Sequence, residues 1–196
     1  MPDLLTLDLQ KFLDASAARH NHLCPRQVLG VRAALSGAQT LGLRIPRRDK
    51  RLLIISETDG CFVDGLEVVT GTSCGHRTLR VEDYGKIAAT FIDVRNDRAV
   101  RISLFVNLRH RAWQYSPGEK RRYFAQLGAY QVMPEEELFT KQEVKLHQSI
   151  KSILSRAGIR VDCEICGEEI VNERHVFQEG QILCRSCAGG GYYSLL

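Results

Sequence analysis

Four cysteines near the end of this 196-residue chain, Cys163, Cys166, Cys184 and Cys187, form two Cys-x2-Cys pairs separated by 17 residues. Each pair can place two thiolates on one side of a tight loop, and the spacing suits two knuckles closing on a single zinc ion. Gly167, just after the first pair, lets the backbone turn around the sulfurs. Between the pairs, residues 170–176 and 181–183 can pair as short strands about a turn at Glu179 and Gly180. A module of roughly 25 residues cannot bury enough apolar surface to fold unaided, so the metal is its staple. Four thiolates fill the tetrahedron, which makes the ion structural and leaves no position for catalysis.

The rest of the chain has the means to build an ordinary core. Hydrophobic residues make up 44% and charged residues 26%, as in a globular protein with one core and a small appendage. Residues 1–10 lack a basic region followed by an apolar run, and no stretch is long and apolar enough to span a bilayer. A cytoplasmic protein is expected. In that compartment seven cysteines read as metal ligands or reactive thiols. With four in the zinc module, Cys24, Cys61 and Cys74 remain. A net charge of +4 does not demand an anionic partner.

Helical spacing of Leu9, Phe12, Leu13 and Ala17 predicts a helix over 8–18, and Val28, Val31, Leu35, Ala38 and Leu41 predict another over 27–41. The apolar run 51–56 reads as a buried strand followed by a helix over 61–70. Residues 78–82, 87–94 and 99–106, punctuated by Asp83-Tyr84-Gly85 and by 95–98, predict a meander of antiparallel strands. Residues 107–139 read as mostly helical, with Pro134 and three following glutamates suited to a helix start. An amphipathic stretch over 141–157, ending at Gly158, reads as a connecting helix. The expected fold class is α+β, an antiparallel sheet packed with helices, with a core domain over 1–157 and a four-cysteine zinc domain over 158–196.

A second constellation lies at His20, His22 and Cys24, followed by Pro25. In an extended segment, side chains at period two point the same way, so all three can face one metal. Pro25 favours an extended residue before it and suits the first turn of the next helix. Cys24 then sits at a helix N-terminus, where the helix field favours the charged form of a thiol. Cys61, at the start of the next helix, is expected to share that field. Imidazole and thiolate together suit zinc, iron, nickel or copper. Cys61 with His20, His22 and Cys24 is therefore a candidate core site for a second transition metal, open enough to admit water or substrate.

The segments His20-Asn-His-Leu-Cys-Pro-Arg-Gln-Val-Leu-Gly-Val-Arg32, Thr58-Asp-Gly-Cys-Phe-Val-Asp64, Thr70-Gly71 and Asp83-Tyr-Gly-Lys86 resemble, in order, the signature blocks of the FmdE family, named for a subunit of formylmethanofuran dehydrogenase. The terminal module resembles a treble-clef or zinc-ribbon finger of the kind appended to many members. The resemblance implies an α+β core, a homodimer, and a metal or cofactor site around the His20–Cys24 block and Cys61. It also implies an accessory or subunit-like role beside a molybdenum or tungsten oxidoreductase partner. Asn21 and Arg26 stand where the family often has glycines, Thr72 where it usually has a cysteine, and His76 where a lysine is common.

Other features carry less. Tyr84 and Lys86 can serve as proton donor and anion clamp, or as ordinary turn residues. The basic clusters Arg44, Arg47, Arg48, Lys50, Arg51 and Arg109, His110, Arg111 lack the aromatic interleaving of a base-stacking surface, so nucleic acid is not supported as a partner. No phosphate loop, nucleophile elbow or dinucleotide fingerprint occurs. Aromatic residues over 107–139, Trp113, Tyr115, Tyr123 and Phe124, favour a dimer that covers them. Three functional readings follow: a metal-binding accessory protein, a metal-dependent enzyme using the core His/Cys site, and a finger-bearing nucleic-acid regulator.

Overall fold

The computed structural model describes residues 4–193; Met1 to Asp3, at the head of the N-terminal stretch read above, lie outside the described residues. The chain divides into two compact units, one ending at Leu146 and the other starting at His147. In the first, helices α1 (Leu4–His20) and α2 (Pro25–Leu41) precede strand β1 (Leu52–Ser56), helix α3 (Cys61–Thr70) and strands β2 (Leu79–Val81), β3 (Ala88–Asp93) and β4 (Arg98–Leu104). A short helix α4 (Leu108–Arg111) and a 3-10 turn lead to α5 (Arg122–Val132), α6 (Glu135–Leu138) and strand β5 (Phe139–Glu143). The result is the expected α+β class, with one sheet ordered β2-β1-β3-β4-β5.

The sheet is not a simple meander. β2 lies parallel to β1, with Ile54 opposite Leu79, while β3 pairs antiparallel with β1 on the other side, Ile54 opposite Phe91. β3 is buried along its whole length, whereas β2 emerges into solvent at Val81. The chain therefore places β3 centrally and β2 at an edge, with α3 as the crossover that a parallel pair requires. Segment 83–86 folds back instead of forming a β2–β3 hairpin. The Tyr84 and Lys86 N–H groups both donate to the Glu57 carbonyl, at 3.0 and 3.1 Å.

Residues 141–157 are likewise not one helix. β5 occupies 139–143 and pairs with β4, Ile102 opposite Lys141; Phe139 at its start is buried, and the β4 edge meets its backbone groups in place of a helix ladder.

Twelve of the 17 residues of α2 are buried, since it packs on the sheet and is flanked by α1, α3 and α5. Two glycines set its closest approach. A methyl group on Gly30 would stand 2.2 Å from the Phe62 carbonyl oxygen, and one on Gly65 would stand 2.6 Å from the Gln27 carbonyl oxygen. Only hydrogen at both positions lets the two helix backbones meet, and Phe62 and Leu66 are buried beside the contact. Burial of each such side chain contributes about 1.5–3 kcal/mol. From the middle of α2, Arg32 Nη1 donates to the carbonyls of Tyr130 and Met133, at 3.0 and 2.5 Å, which ties the end of α5 to α2.

The second unit holds helix α7 (Ile150–Leu154) and two hairpins, β6 (Arg160–Asp162) with β7 (Glu169–Val171), and β8 (Val176–Gln178) with β9 (Gln181–Leu183). The expected strand over 170–176 is thus divided. Its first part pairs backwards with β6, and only Val176 onward pairs with β9 across the turn at Glu179 and Gly180.

Candidate metal centres

In the finger, the first knuckle follows β6 and the second follows β9. Gly167, at φ 74°, takes the left-handed turn expected of it, and its N–H donates to the Cys163 carbonyl at 2.8 Å. The Glu164 N–H donates to the Ile182 carbonyl at 3.0 Å, and the Ile182 N–H returns to Glu164 Oε1 at 3.1 Å, so the two hairpins are locked together. The sulfurs of Cys163, Cys166, Cys184 and Cys187 consequently lie within 4.8 Å of one another, with 3.9 Å between Cys166 and Cys184. Four sulfurs each about 2.3 Å from one zinc stand about 3.8 Å apart, so the cage fits the ion.

Backbone N–H groups favour the thiolate at one corner of the cage. N–H groups from Cys166 and Cys184 hold the Cys163 thiol down at about 6, whereas hydrogen bonding with the Cys184 thiol, followed by desolvation, pushes Cys187 up to about 12. The first thiolate is easy to form and the last needs a cation among the sulfurs. Cys163, Ile170 and Leu183 make the small buried cluster beneath.

The core site differs from its expected form. His20 is the last residue of α1, and Asn21 takes a left-handed φ of 60°. No continuous extended segment runs from His20 to Cys24, and the period-two alignment of three ligands fails. His20 Nε2 instead meets Asp64 Oδ2 at 2.6 Å, and His22 Nδ1 lies 2.9 Å from the His20 carbonyl oxygen. Among the described residues, only the finger cysteines form a group of three or more His, Cys, Asp or Glu side chains with all ligand atoms within 4.8 Å.

Cys24 and Cys61 do come together. Cys24, extended at φ −122° and ψ 160°, caps α2 through a reciprocal box: the Gln27 N–H donates to its sulfur at 3.4 Å, and its own N–H donates to Gln27 Oε1 at 2.8 Å. Gln27 Nε2 also donates to the Ser16 carbonyl at 2.7 Å, which anchors the cap to α1. Cys61 opens α3. Because Gly30 and Gly65 seat α2 against α3 six and four residues further on, the two helix starts adjoin. The Cys61 thiol is pushed up in pKa by burial first, then by its hydrogen bond to Cys24. The expected lowering by the helix field is outweighed there. Thr72 and His76 belong to the opposite end of α3. Thr72 is buried, with its hydroxyl 2.8 Å from that of Thr70, and His76 Nδ1 lies 2.9 Å from Ser73 Oγ.

The cysteine pair lines a cavity of about 420 Å³. Arg26, Arg109 and Arg122 supply all the charge on its wall, Tyr123 and Tyr130 line it, and no carboxylate does. Gln126 also lines it, and its Nε2 is buried without a hydrogen-bond partner. Spacing does not reveal this wall, because α5, which supplies Arg122, Tyr123, Gln126 and Tyr130, is brought to Arg26 at the start of α2 only by the fold. Gly30 and Gly65 carry a visible signal: a glycine inside an apolar helical pattern marks close approach. Tyr84 and Lys86 are exposed and absent from this wall.

Comparison with known proteins gives the class. Residues 19–152 match the family model FmdE, "molybdenum formylmethanofuran dehydrogenase operon", and the chain belongs to that family. Residues 156–193 match the prokaryotic dksA/traR C4-type zinc finger. A crystal structure from Syntrophus aciditrophicus, of a protein like the FmdE subunit of tungsten formylmethanofuran dehydrogenase, superposes with a TM-score of 0.59 at 21% identity, covering 95% of each chain, which shows a shared fold. A curated relative from Archaeoglobus fulgidus, described as a probable S-adenosyl-L-methionine-binding protein, is 27% identical over 90% of this chain and 52% of its own length. The chain thus spans about half of that relative. Among the described residues, no helix is long and apolar enough to cross a membrane.

Proposed function

We propose that this protein is a metal-binding accessory or subunit-like member of the FmdE family, acting beside a molybdenum or tungsten oxidoreductase of the formylmethanofuran dehydrogenase type without carrying the pterin chemistry itself. The observation that supports a role beyond the structural zinc is the Cys24–Cys61 pair on the cavity wall. Two thiols at adjoining helix starts suit a soft or borderline transition metal. His22, with Nδ1 engaged by the His20 carbonyl, keeps Nε2 for coordination, and Asp64 is placed to orient His20. The remaining positions are for water or a small ligand. The protein acts in the cytoplasm as a homodimer, in which half-exposed Trp113, Tyr123 and Phe124 supply apolar contact surface.

A metal-dependent enzyme is the second reading, favoured by the same incomplete protein ligand set, because an open position lets a metal activate water.

Elemental analysis of the full chain, purified without chelator, tests the proposal. A transition metal beyond the finger's zinc should be present and should be lost in Cys24→Ser/Cys61→Ser, while the finger's zinc stays. Identical metal content in the two proteins would contradict it.

A further inference from the structure

We propose that the cavity beside Cys24 and Cys61 is a receptor for a small organic anion, a phosphate or carboxylate carrying an apolar or aromatic body. Three arginines, each with an exposed side chain, line it from separate elements: Arg26 from the first turn of α2, Arg109 from α4 and Arg122 from the first turn of α5. Among the described residues, none of the three has an ion pair with a carboxylate, and no acidic residue shares the wall. Arg109 and Arg122 both bear electrostatically on the Tyr130 phenol. Like charges gathered with no counter-charge raise the local concentration of anions.

Two further observations point the same way. The wall includes the start of α2, a 17-residue helix whose N-terminal dipole favours negative charge. Gln126 also lines the wall, and its buried amide nitrogen has no partner, an unmet donor whose cost a side-chain turn toward a bound anion would relieve. Leu29, Ile87 and Leu104 complete the wall beside the two tyrosines, so an anion with an apolar body is better matched than an inorganic one. The volume falls within the range of small-molecule sites. This inference uses the cavity of the proposed metal site but does not require the metal.

Calorimetric titration of the full chain with phenyl phosphate, benzoate and neutral benzyl alcohol tests it. At least one of the two anions should bind, benzyl alcohol should bind much more weakly, and added salt should weaken the anion. Phenyl phosphate alone would assign a phosphomonoester, benzoate alone a carboxylate, and both the shared organic-anion class. Arg109→Gln/Arg122→Gln should reduce anion affinity about tenfold or more, while Arg95→Gln, at the β3–β4 turn, should not. Circular dichroism confirms that the variants are folded. Equal binding of the anions and benzyl alcohol, unchanged affinity in the double arginine variant, or no anion binding would each overturn the proposal. Repeating the titration on Cys24→Ser/Cys61→Ser separates the two claims: retained anion binding there makes the receptor independent of any metal, and lost binding would overturn that independence.

Discussion

The finger and the core each bring cysteines together, but by opposite means. In the finger, four sulfurs within 4.8 Å lie beside two hairpins of three-residue strands over a buried cluster of Cys163, Ile170 and Leu183, and the metal holds the fold. In the core, two sulfurs are delivered by helices that a large apolar interior already fixes. Cys24 even caps α2 with its sulfur. A cysteine that carries the fold and a cysteine that the fold carries should respond differently to the same substitution.

The largest contrast is expected from Cys184→Ser. Structural zinc in small fingers contributes on the order of 10–16 kcal/mol, so losing a ligand should unfold the finger while the core stays intact. Limited proteolysis with zinc analysis reads this as rapid cleavage beyond residue 158 and a stable core fragment. A finger that kept its protease resistance and zinc would remove the distinction.

Next in size is Gly30→Ala, whose new methyl would press on the Phe62 carbonyl. Overpacking of this kind costs about 3 kcal/mol, and it should also part the two cysteines. Thermal denaturation should show the loss, and the rate of disulfide formation between Cys24 and Cys61 under mild oxidant should fall. An unchanged melting curve would mean that the α2–α3 contact does not position the pair.

Acid probes the core by another route. Bonding to Arg51, at 2.9 and 2.7 Å, holds the buried Asp93 carboxyl down at about 2 against 3.8 unperturbed. A depressed carboxylate stabilises the fold fully above its unfolded value, and that contribution is lost as pH falls from about 4 toward 2. On the order of 2 kcal/mol should disappear across that window. Denaturant titrations of the wild type and Asp93→Asn over it should converge at the acid end; parallel curves would contradict the assignment.

The smallest effect is expected from Cys24→Ser. Serine is a favoured N-cap, so the change should cost less than about 1 kcal/mol. Chemical denaturation of the core measures it, and a loss comparable to that of Gly30→Ala would mean that Cys24 is itself a structural element.

The finger is legible in the sequence because its chemistry is local: spacing alone specifies the four ligands. Helices α2 and α3 are legible from apolar periodicity, and Cys24 at a helix start follows from Pro25. The sheet order is not, because the choice of neighbour for β1 depends on the burial of β3 and the crossover through α3. The alignment expected of His20 fails for a local reason, since α1 extends to it and Asn21 turns left-handed. The arginine-lined wall is invisible in the sequence because most of the core lies between Arg26 and the pair Arg109 and Arg122.

Cobalt(II) replacement in the full chain separates the two cysteine sites, because thiolate-to-cobalt charge-transfer bands report sulfur ligation in each. Two spectroscopically distinct cobalt sites are expected, a four-sulfur site abolished by Cys184→Ser and a sulfur-poorer one abolished by Cys24→Ser/Cys61→Ser, each variant sparing the other site. A single four-sulfur spectrum, unchanged when both Cys24 and Cys61 are replaced, would contradict this expectation.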